Sequence, residues 1–290
     1  MSTVYYLNGV RHDDSNACLS ADINDRAFNY GDGFFETMLL SITEQHGFFP
    51  LFSYHLERIK QSGEVLGLGI SGLKTELLDL CTDFQKKATA GDYICKLHVS
   101  REAGPRGYRG ASTNTVRRVS ISAKPEKGTA SAKGHLVRLT VCNHPLSRNP
   151  KLAGIKHLNR LDQVMARNEW GSEFDEGIML NIQGLPVECT AHNLFWVKNN
   201  QIFTPDLSQE GVRGVVRRWL LSKFDVVAGC YSLKNLFDAD EVFITNALNG
   251  IVPVGAIGDK IYQAGKVTAE VQQQYQHRVT PPASVRKGLS

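Results

Sequence analysis

Asn149-Pro150-Lys151-Leu152-Ala153-Gly154-Ile155-Lys156-His157-Leu158-Asn159-Arg160-Leu161-Asp162-Gln163 is the stretch on which the reading of this chain turns. Asn-Pro and Gly154 interrupt regular structure ahead of Lys156. Beyond it, Leu158, Leu161, Val164 and Met165 recur at helical spacing and predict a helix with one apolar face. A lysine just ahead of a helix, flanked by Lys151 and Arg160, has two readings. It is a solvated surface group, as most lysines are. Alternatively, its cationic neighbours and partial burial depress its pKa and leave a nucleophilic amine, able to condense with an aldehyde cofactor. Spacing leaves both open.

Working outward, 290 residues with 42% hydrophobic content suit one large domain or two modest ones, each with a proper core. The net charge of +4 comes from 33 basic and 29 acidic residues spread along the chain. That is compatible with small anionic substrates and argues against nucleic acid, since there is no concentrated basic tract and no aromatic ladder. Cys18, Cys81, Cys95, Cys142, Cys189 and Cys230 form no CxxC pair, so a zinc framework is not expected and reduced core cysteines are. The N-terminus lacks a basic region followed by an apolar run, and no stretch is long and apolar enough to span a bilayer. A soluble, cytoplasmic enzyme without a membrane partner is the expectation.

Val4 to Leu7, Asn8-Gly9 and Val10 read as a strand and a tight hairpin turn. Gly31-Asp32-Gly33 is a second turn leading into the apolar run from Phe34 to Leu40. Ser53 is placed to cap a helix burying Leu56, Ile59 and Leu66, and Leu73, Leu77, Leu80, Cys81 and Phe84 predict another. Strands are expected at Tyr93–Val99, Val116–Ile121, Leu136–Val141, Gly177–Asn181, Leu194–Val197 and Glu241–Thr245. Helices are expected after Gly211, with Val215, Val216, Trp219 and Leu220, and near the end, with Val267, Val271 and Tyr275. The polar, small-residue stretch 124–134 is the best linker. The chain therefore divides into a smaller N-terminal domain (1–123), the linker, and a larger domain (135–290) that carries Lys156. With no regular βαβ alternation and no internal repeat, the fold class is α+β.

The string Ala-Gly-Ile-Lys-His-Leu-Asn-Arg-Leu around Lys156 resembles the cofactor-lysine segment of the aminodeoxychorismate lyases. These belong with the branched-chain and D-amino-acid transaminases to the fold type IV pyridoxal 5'-phosphate enzymes. The resemblance implies that fold, with its two α/β domains, and attachment of pyridoxal 5'-phosphate to Lys156. Pyridoxal phosphate asks for a lysine at its aldehyde, a carboxylate at its ring nitrogen, and N–H groups with a cation at its phosphate. Glu188, a strand-end glutamate that unaided reads as a surface group, matches the family's Glu-x-x-x-x-Asn-Leu-Phe, whose Glu pairs with the pyridinium. Asn193 matches as a residue that orients the site.

For the phosphate, Arg58 matches a family arginine in His-x-x-Arg, although unaided it reads as part of a solvated helix face. Gly211-Val212-Arg213-Gly214 leads into a helix, so the N–H groups of Val212 and Arg213 are candidates for an anion. The family uses this turn as half of a phosphate cup. The other half corresponds to Asn246-Ala247-Leu248, where transaminase relatives often carry Gly-Thr. Asn246 and Ala247 lack that hydroxyl, so a backbone contact is expected. The segment Asp25–Thr37 resembles the family's N-terminal signature. Asp25 and Arg26 are read as a pair, and Thr37 as facing the site with a hydroxyl that handles a proton.

For substrate, Arg106-Gly107-Tyr108 resembles the lyases' Arg-Gly-Tyr, where D-amino-acid transaminases more often have Arg-x-His. Arg106, Tyr108, Arg109 and, on the preceding strand, Lys96 are the candidates for holding carboxylates. The resemblance implies conversion of 4-amino-4-deoxychorismate to 4-aminobenzoate and pyruvate, for folate synthesis, with Lys156 as the base. Relatives place residues of a neighbouring subunit at the site, which implies a homodimer. Two other functions compete: a branched-chain or D-amino-acid transaminase, and a cofactor-free binding protein with a degenerate site.

Overall fold

The computed structural model describes residues 3–12, 24–110, 112–125 and 136–280. Most of the expected linker, and Cys18, lie outside these residues. The chain forms two compact units. The first comprises residues 1–127 together with Gly154–Arg160, and the second Gly128–Ala153 with Leu161–Ser290. The Lys156 segment, expected in the C-terminal domain, is thus part of the first unit. The reason is local: its backbone is bonded into that unit's sheet, as shown below.

The first unit is a six-stranded antiparallel sheet in the order β2-β1-β6-β5-β3-β4. The strands are β1 (Val4–Leu7), β2 (Val10–His12), β3 (Gly33–Ile42), β4 (Gly47–Phe48), β5 (Gly91–Arg101) and β6 (Thr115–Ala123). Asn8 and Gly9 both have positive φ (49° and 80°), which makes the tight turn joining β1 to β2. Period-two alternation puts Phe34, Met38 and Leu40 on one face, opposite Val99, Cys95 and Tyr93. That face is the core, packed against α2 (Phe52–Leu66) and α3 (Leu73–Gln85). Leu73, Leu77, Leu80, Cys81 and Phe84 are the buried stripe of α3, as their spacing predicts. The short helix α1 (Arg26–Tyr30) precedes β3 and ends at Gly31 in the left-handed conformation.

Two local expectations do not hold. The helix α2 begins after Leu51 with no side-chain cap, so Ser53 lies inside it. The expected Ile59 is buried and Leu56 and Leu66 pack partly buried against the core, but beside them His55, Arg58, Ser62 and Gly63 are also buried, a polar set that hydrophobic periodicity cannot detect. Asp25 and Arg26 also do not pair with each other. Asp25 caps α1 through the N–H of Ala27 (2.8 Å) and bonds Arg118, while Arg26 takes Asp32 (2.8 Å).

The second unit holds a nine-stranded mixed sheet. Its main path runs β12-β11-β10-β13-β14-β7-β8-β9, with β15 on β14. These are β7 (Val137–Val141), β8 (Glu176–Leu180), β9 (Pro186–Cys189), β10 (Asn193–Lys198), β11 (Gln201–Pro205), β12 (Val226–Gly229), β13 (Glu241–Asn246), β14 (Gly250–Ile257) and β15 (Lys260–Ile261). One face buries Val137, Leu139, Leu194, Trp196, Val242, Ile244 and Val252 with α6 (Leu233–Phe237). Along β10 and β13 the other residues alternate to the opposite face. Phe195 stacks on Phe243 there at 5.0 Å, and Asn193 lies opposite Thr245. The helix α5 (Val215–Lys223) packs on β13, and α7 (Lys266–Val279) on β13 and β14. Glu241 ties down the start of α7 by accepting from the N–H groups of Val267 and Thr268.

The helix expected after Lys156 is shorter than its periodicity suggests. It is α4 (Leu161–Arg167), and its apolar residues Leu161, Val164 and Met165 are exposed, while Ala166 is buried. Leu158 is not helical but lies in a bend just after the His157 bridge.

Candidate active site

Lys156 is held by backbone hydrogen bonds to β3. Phe35 N–H donates to the Lys156 carbonyl (2.9 Å), and Leu158 N–H to the Gly33 carbonyl (3.0 Å). His157 and Phe34 form an antiparallel bridge, so the segment serves as a short edge strand beside the start of β3. In that register Lys156 shares the face of Phe35, and its Nζ lies 4.5 Å from the Phe35 ring centroid. Glycine at position 33 makes the approach possible, because a Cβ there would overlap the Val99 carbonyl and crowd Leu158. Lys156 is half-buried. Of its expected cationic neighbours, Lys151 belongs to the other unit, and Arg160 donates Nε–H to the His157 carbonyl (2.9 Å).

The same ring of Phe35 collects further groups. Lys96 Nζ stands 5.6 Å from its centroid, and the His98 imidazole stacks at 6.0 Å. On β3 and β5, Thr37 pairs with Lys96 and Phe35 with His98, so all four share the face opposite the apolar core. Arg118 and Ser120 of β6 continue it. The structure therefore brings Lys156, Lys96 and Thr37 onto one polar, cationic surface. Burial, together with Lys96 and Arg118, pushes the His98 pKa down to about 4, so this imidazole is neutral at pH 7. Arg106, Tyr108 and Arg109 are instead exposed on the loop between β5 and β6. Arg26 clamps that loop by donating to the carbonyls of Gly107 and Tyr108 (2.9 Å each), and Tyr108 packs edge-on against Tyr30.

Arg58 is not a solvated helix residue. It is buried and donates Nε–H to Glu36 Oε1 and Nη2–H to Glu36 Oε2, both at 2.7 Å. His55 Nδ1 approaches the same carboxylate at 2.8 Å. Burial alone would raise the Glu36 pKa, but the Arg58 charge and hydrogen bonds overcome it and lower it to about 2. For His55, burial outweighs the pull of Glu36, and Arg58 and Lys156 reinforce burial, so its pKa is depressed. Glu36 and His55 were not singled out from the sequence as site residues. The available signal was a charged residue at an inward position of an otherwise apolar strand.

In the second unit, Glu188 is buried on β9 and accepts from Val212 N–H through Oε2 (2.8 Å). Asn193, at the start of β10, fastens the same loop twice. Its Oδ1 accepts from Gly214 N–H (3.0 Å), and its Nδ2 donates to the Val212 carbonyl (2.8 Å). Gly211 has φ of 82°, and a Cβ on Gly214 would overlap Asn193 Oδ1. Both glycines are thus dictated by geometry. The sequence points to Val212 and Arg213 for the anion-facing N–H groups. Here the Val212 N–H is taken by Glu188, and the helix starts three residues later, with Gly214 as N-cap. The groups at the helix start are those of Val215 and Val216.

Two buried side chains around this loop carry polar atoms without a hydrogen-bond partner, Arg217 Nε on α5 and Thr245 Oγ1 at the end of β13. Burial and the charge of Arg213 push the Arg217 pKa down to about 10. A helix start, two neighbouring arginines and an orphaned hydroxyl fit an anionic group such as a phosphate. The turn after β13 is built by the Asn246 side chain, whose Oδ1 accepts from the N–H groups of Leu248 (3.1 Å) and Asn249 (2.7 Å). Its Nδ2 lies 2.8 Å from His192 Nε2, and His192 Nδ1 lies 2.6 Å from buried Glu176. His192 and Glu176 had no assigned role in the sequence reading, since their meeting depends on the pairing of β8 with β9 and of β10 with β13.

Comparison with known proteins bears on this arrangement. The amino-transferase class IV family matches residues 33–257. The aminodeoxychorismate lyase of Vibrio harveyi is 36% identical over 270 residues, covering 86% of this chain and 93% of that protein. A putative branched-chain-amino-acid aminotransferase of Methanocaldococcus jannaschii is 28% identical, over 93% of this chain and 94% of that protein. The crystal structure of 4-amino-4-deoxychorismate lyase from Pseudomonas aeruginosa superposes with a TM-score of 0.80 at 32% identity, covering 94% of this chain and 98% of that one. The two curled sheets are those of fold type IV, and relatives sharing them include both lyases and transaminases. The chain belongs to the amino-transferase class IV family.

Proposed function

We propose that the protein is a pyridoxal 5'-phosphate-dependent lyase that converts 4-amino-4-deoxychorismate to 4-aminobenzoate and pyruvate in folate synthesis. The observation that carries this reading is the placement of Lys156, bonded to β3 and gathered with Lys96 at Phe35, in a chain 36% identical to a lyase of that name. Lys156 would hold the cofactor aldehyde, and Glu188 the ring nitrogen. The N–H groups of Val215, Val216 and Ala247, with Arg217, Arg58 and the Thr245 hydroxyl, would serve the phosphate. Asn193 and Arg213 support that loop, and Asn246 shapes the second turn. When bound, the cofactor supplies an electron sink for the pair left behind on loss of a proton beside the amine.

The chain's own residues do the rest. Lys156, in its neutral form, takes the proton from the amine-bearing carbon. Neutral His98 adds no charge beside it, and Lys96 is the cation of this face that we assign to a substrate carboxylate. Thr37, opposite Lys96 in the register, would pass a proton to the departing enolpyruvyl group through its hydroxyl. Arg106, Tyr108 and Arg109 stand on an exposed loop that suits a second carboxylate or a subunit contact. The exposed apolar face of α4 (Leu161, Val164, Met165) supports self-association as a homodimer, which light scattering on the eluted protein measures directly. No helix among the described residues is long and apolar enough to cross a membrane, and the free, buried Cys81, Cys95, Cys142 and Cys189 support a reducing, cytoplasmic setting.

The test is formation of 4-aminobenzoate by wild type and Lys156→Ala. The variant is expected to lose at least about 10²–10⁴-fold in turnover while keeping its circular dichroism. Equal turnover removes Lys156 from the reaction. Pyruvate released without any keto-acid acceptor separates the lyase from a transaminase, which requires one.

A further inference from the structure

We propose that His192 is a positioning residue for the phosphate turn, held in a single tautomer by Glu176 and transmitting that order to Asn246–Asn249. The proposal rests on the reading above, in which this turn receives the cofactor phosphate.

The chemistry of each partner fixes the direction of each bond. Glu176 is buried at the start of β8 and its carboxylate is fully used. It accepts from Gly177 N–H (2.9 Å), Ala191 N–H (3.1 Å), the Thr190 hydroxyl and His192 Nδ1 (2.6 Å). Burial would raise its pKa, but the His192 and Thr190 hydrogen bonds and the Gly177 N–H prevail and lower it, so Glu176 is ionised. An ionised carboxylate only accepts, so Nδ1 carries the proton. At the other end, Asn246 Oδ1 is fixed by the N–H groups of Leu248 and Asn249, so its amide cannot flip. The Nδ2 of Asn246 must therefore donate to His192 Nε2 (2.8 Å), and Asn249 Nδ2 lies at 3.3 Å from the same atom. His192 Nε2 is an acceptor.

The consequence is mechanical. Asn246 Nδ2 also reaches the Ala191 carbonyl (3.3 Å), so the turn after β13 is tied to the turn between β9 and β10. That second turn joins Glu188 to Asn193, which are 24 and 21 residues from the Val212 and Gly214 N–H groups they anchor. One imidazole thus ties the Ala247 turn to the loop that anchors the start of α5. Losing it removes an acceptor for two side-chain amides and leaves the turn to its own Asn246 contacts.

The test uses pyridoxal 5'-phosphate and pyridoxal, which lacks the phosphate, as paired probes. Dissociation constants for both are measured by equilibrium dialysis on wild type, His192→Phe and Asn246→Ala. Wild type is expected to prefer pyridoxal phosphate. Both variants are expected to lose about five- to tenfold in affinity for it, the worth of about one hydrogen bond, with pyridoxal unchanged. Equal loss for both probes, or no loss for either, overturns the proposal. If wild type itself does not distinguish the two probes, the phosphate reading of the turn fails and the proposal with it. Nitrogen-15 spectra of the histidines in the cofactor-free protein give a readout independent of binding. His192 is expected with Nδ1 protonated and Nε2 bare, and an Nε2-protonated ring overturns the assignment even if a variant misfolds.

Discussion

A carboxylate at the centre of the first unit shows how far a single residue can govern stability. Glu36 is fully buried, yet it is ionised because Arg58 grips both oxygens and His55 approaches one of them. The pair took a desolvation penalty on both sides, so its net contribution is modest, but breaking it is costly. Glu36→Gln removes the charge of the carboxylate that accepts two hydrogen bonds from the buried Arg58 guanidinium. It is expected to destabilise the first unit by roughly 3–5 kcal/mol, the range for removing one partner of such a pair. Urea titration followed by the circular dichroism of the apo protein measures it, and a change under about 1 kcal/mol would show the charge to be dispensable. Position 36 was readable only as an anomaly, a charged residue among Phe34, Phe35, Met38 and Leu40. Its partners lie 19 and 22 residues away on α2, beyond the reach of local pattern.

At the scale of elements, what could be read was whatever buries an apolar stripe. The hairpin of β1 and β2, the stripe of α3 and the alternation of β5 all follow from periodicity and turn chemistry. The misreadings share one cause, which is that tertiary contact replaced the local signal. Leu158 and Leu161 keep helical spacing, but the β3 edge claims the backbone of 156–158, so the helix starts only at Leu161. The α2 face at His55 and Arg58 is polar because its partner is Glu36 rather than a leucine. In the loop before α5, the Val212 N–H expected to face an anion is taken by Glu188, and Asn193 takes that of Gly214, again through contacts distant in sequence. That loop makes a clean prediction. Gly214→Ala puts a methyl where Asn193 Oδ1 lies, so Asn193 must release both the Gly214 N–H and the Val212 carbonyl. The expected cost is about 2 kcal/mol or more, from two lost hydrogen bonds in a partly buried site. Trp196 on β10 and Trp219 on α5 report it by fluorescence during urea unfolding. An unshifted midpoint would mean that the loop relaxes without loss.

Across the molecule, the three tryptophans (Trp170, Trp196, Trp219) all belong to the second unit, while the histidines with depressed pKa values belong to the first. The acid response of the first unit must therefore be followed by the hydrogen exchange of the sheet amides of β3 and β5. His55 and His98 both have pKa values below the ordinary imidazole value in the fold, His98 at about 4, whereas in the unfolded chain each takes a proton near pH 6.5. With folded pKa values below unfolded ones, the unfolded state binds more protons, so stability rises with pH. The His98 contribution is complete above about pH 6.5 and is lost as pH falls toward about 4, and the His55 contribution is lost with the same sign as pH falls below about 6.5. Glu36, lowered to about 2, has the same sign but a lower window, from its unfolded value near 4.5 downward. The opening free energy of β3 and β5 is thus expected to fall first on a histidine limb and then on a steeper carboxylate limb. His98→Asn, which cannot ionise, should remove one proton from the first limb, about 1.4 kcal/mol per pH unit where it is steepest, and leave the second untouched. A variant that keeps the full wild-type slope between pH 6 and pH 5 would show that His98 titrates alike in both states, and that the cationic face around Lys96 and Lys156 is more open to water than this geometry requires.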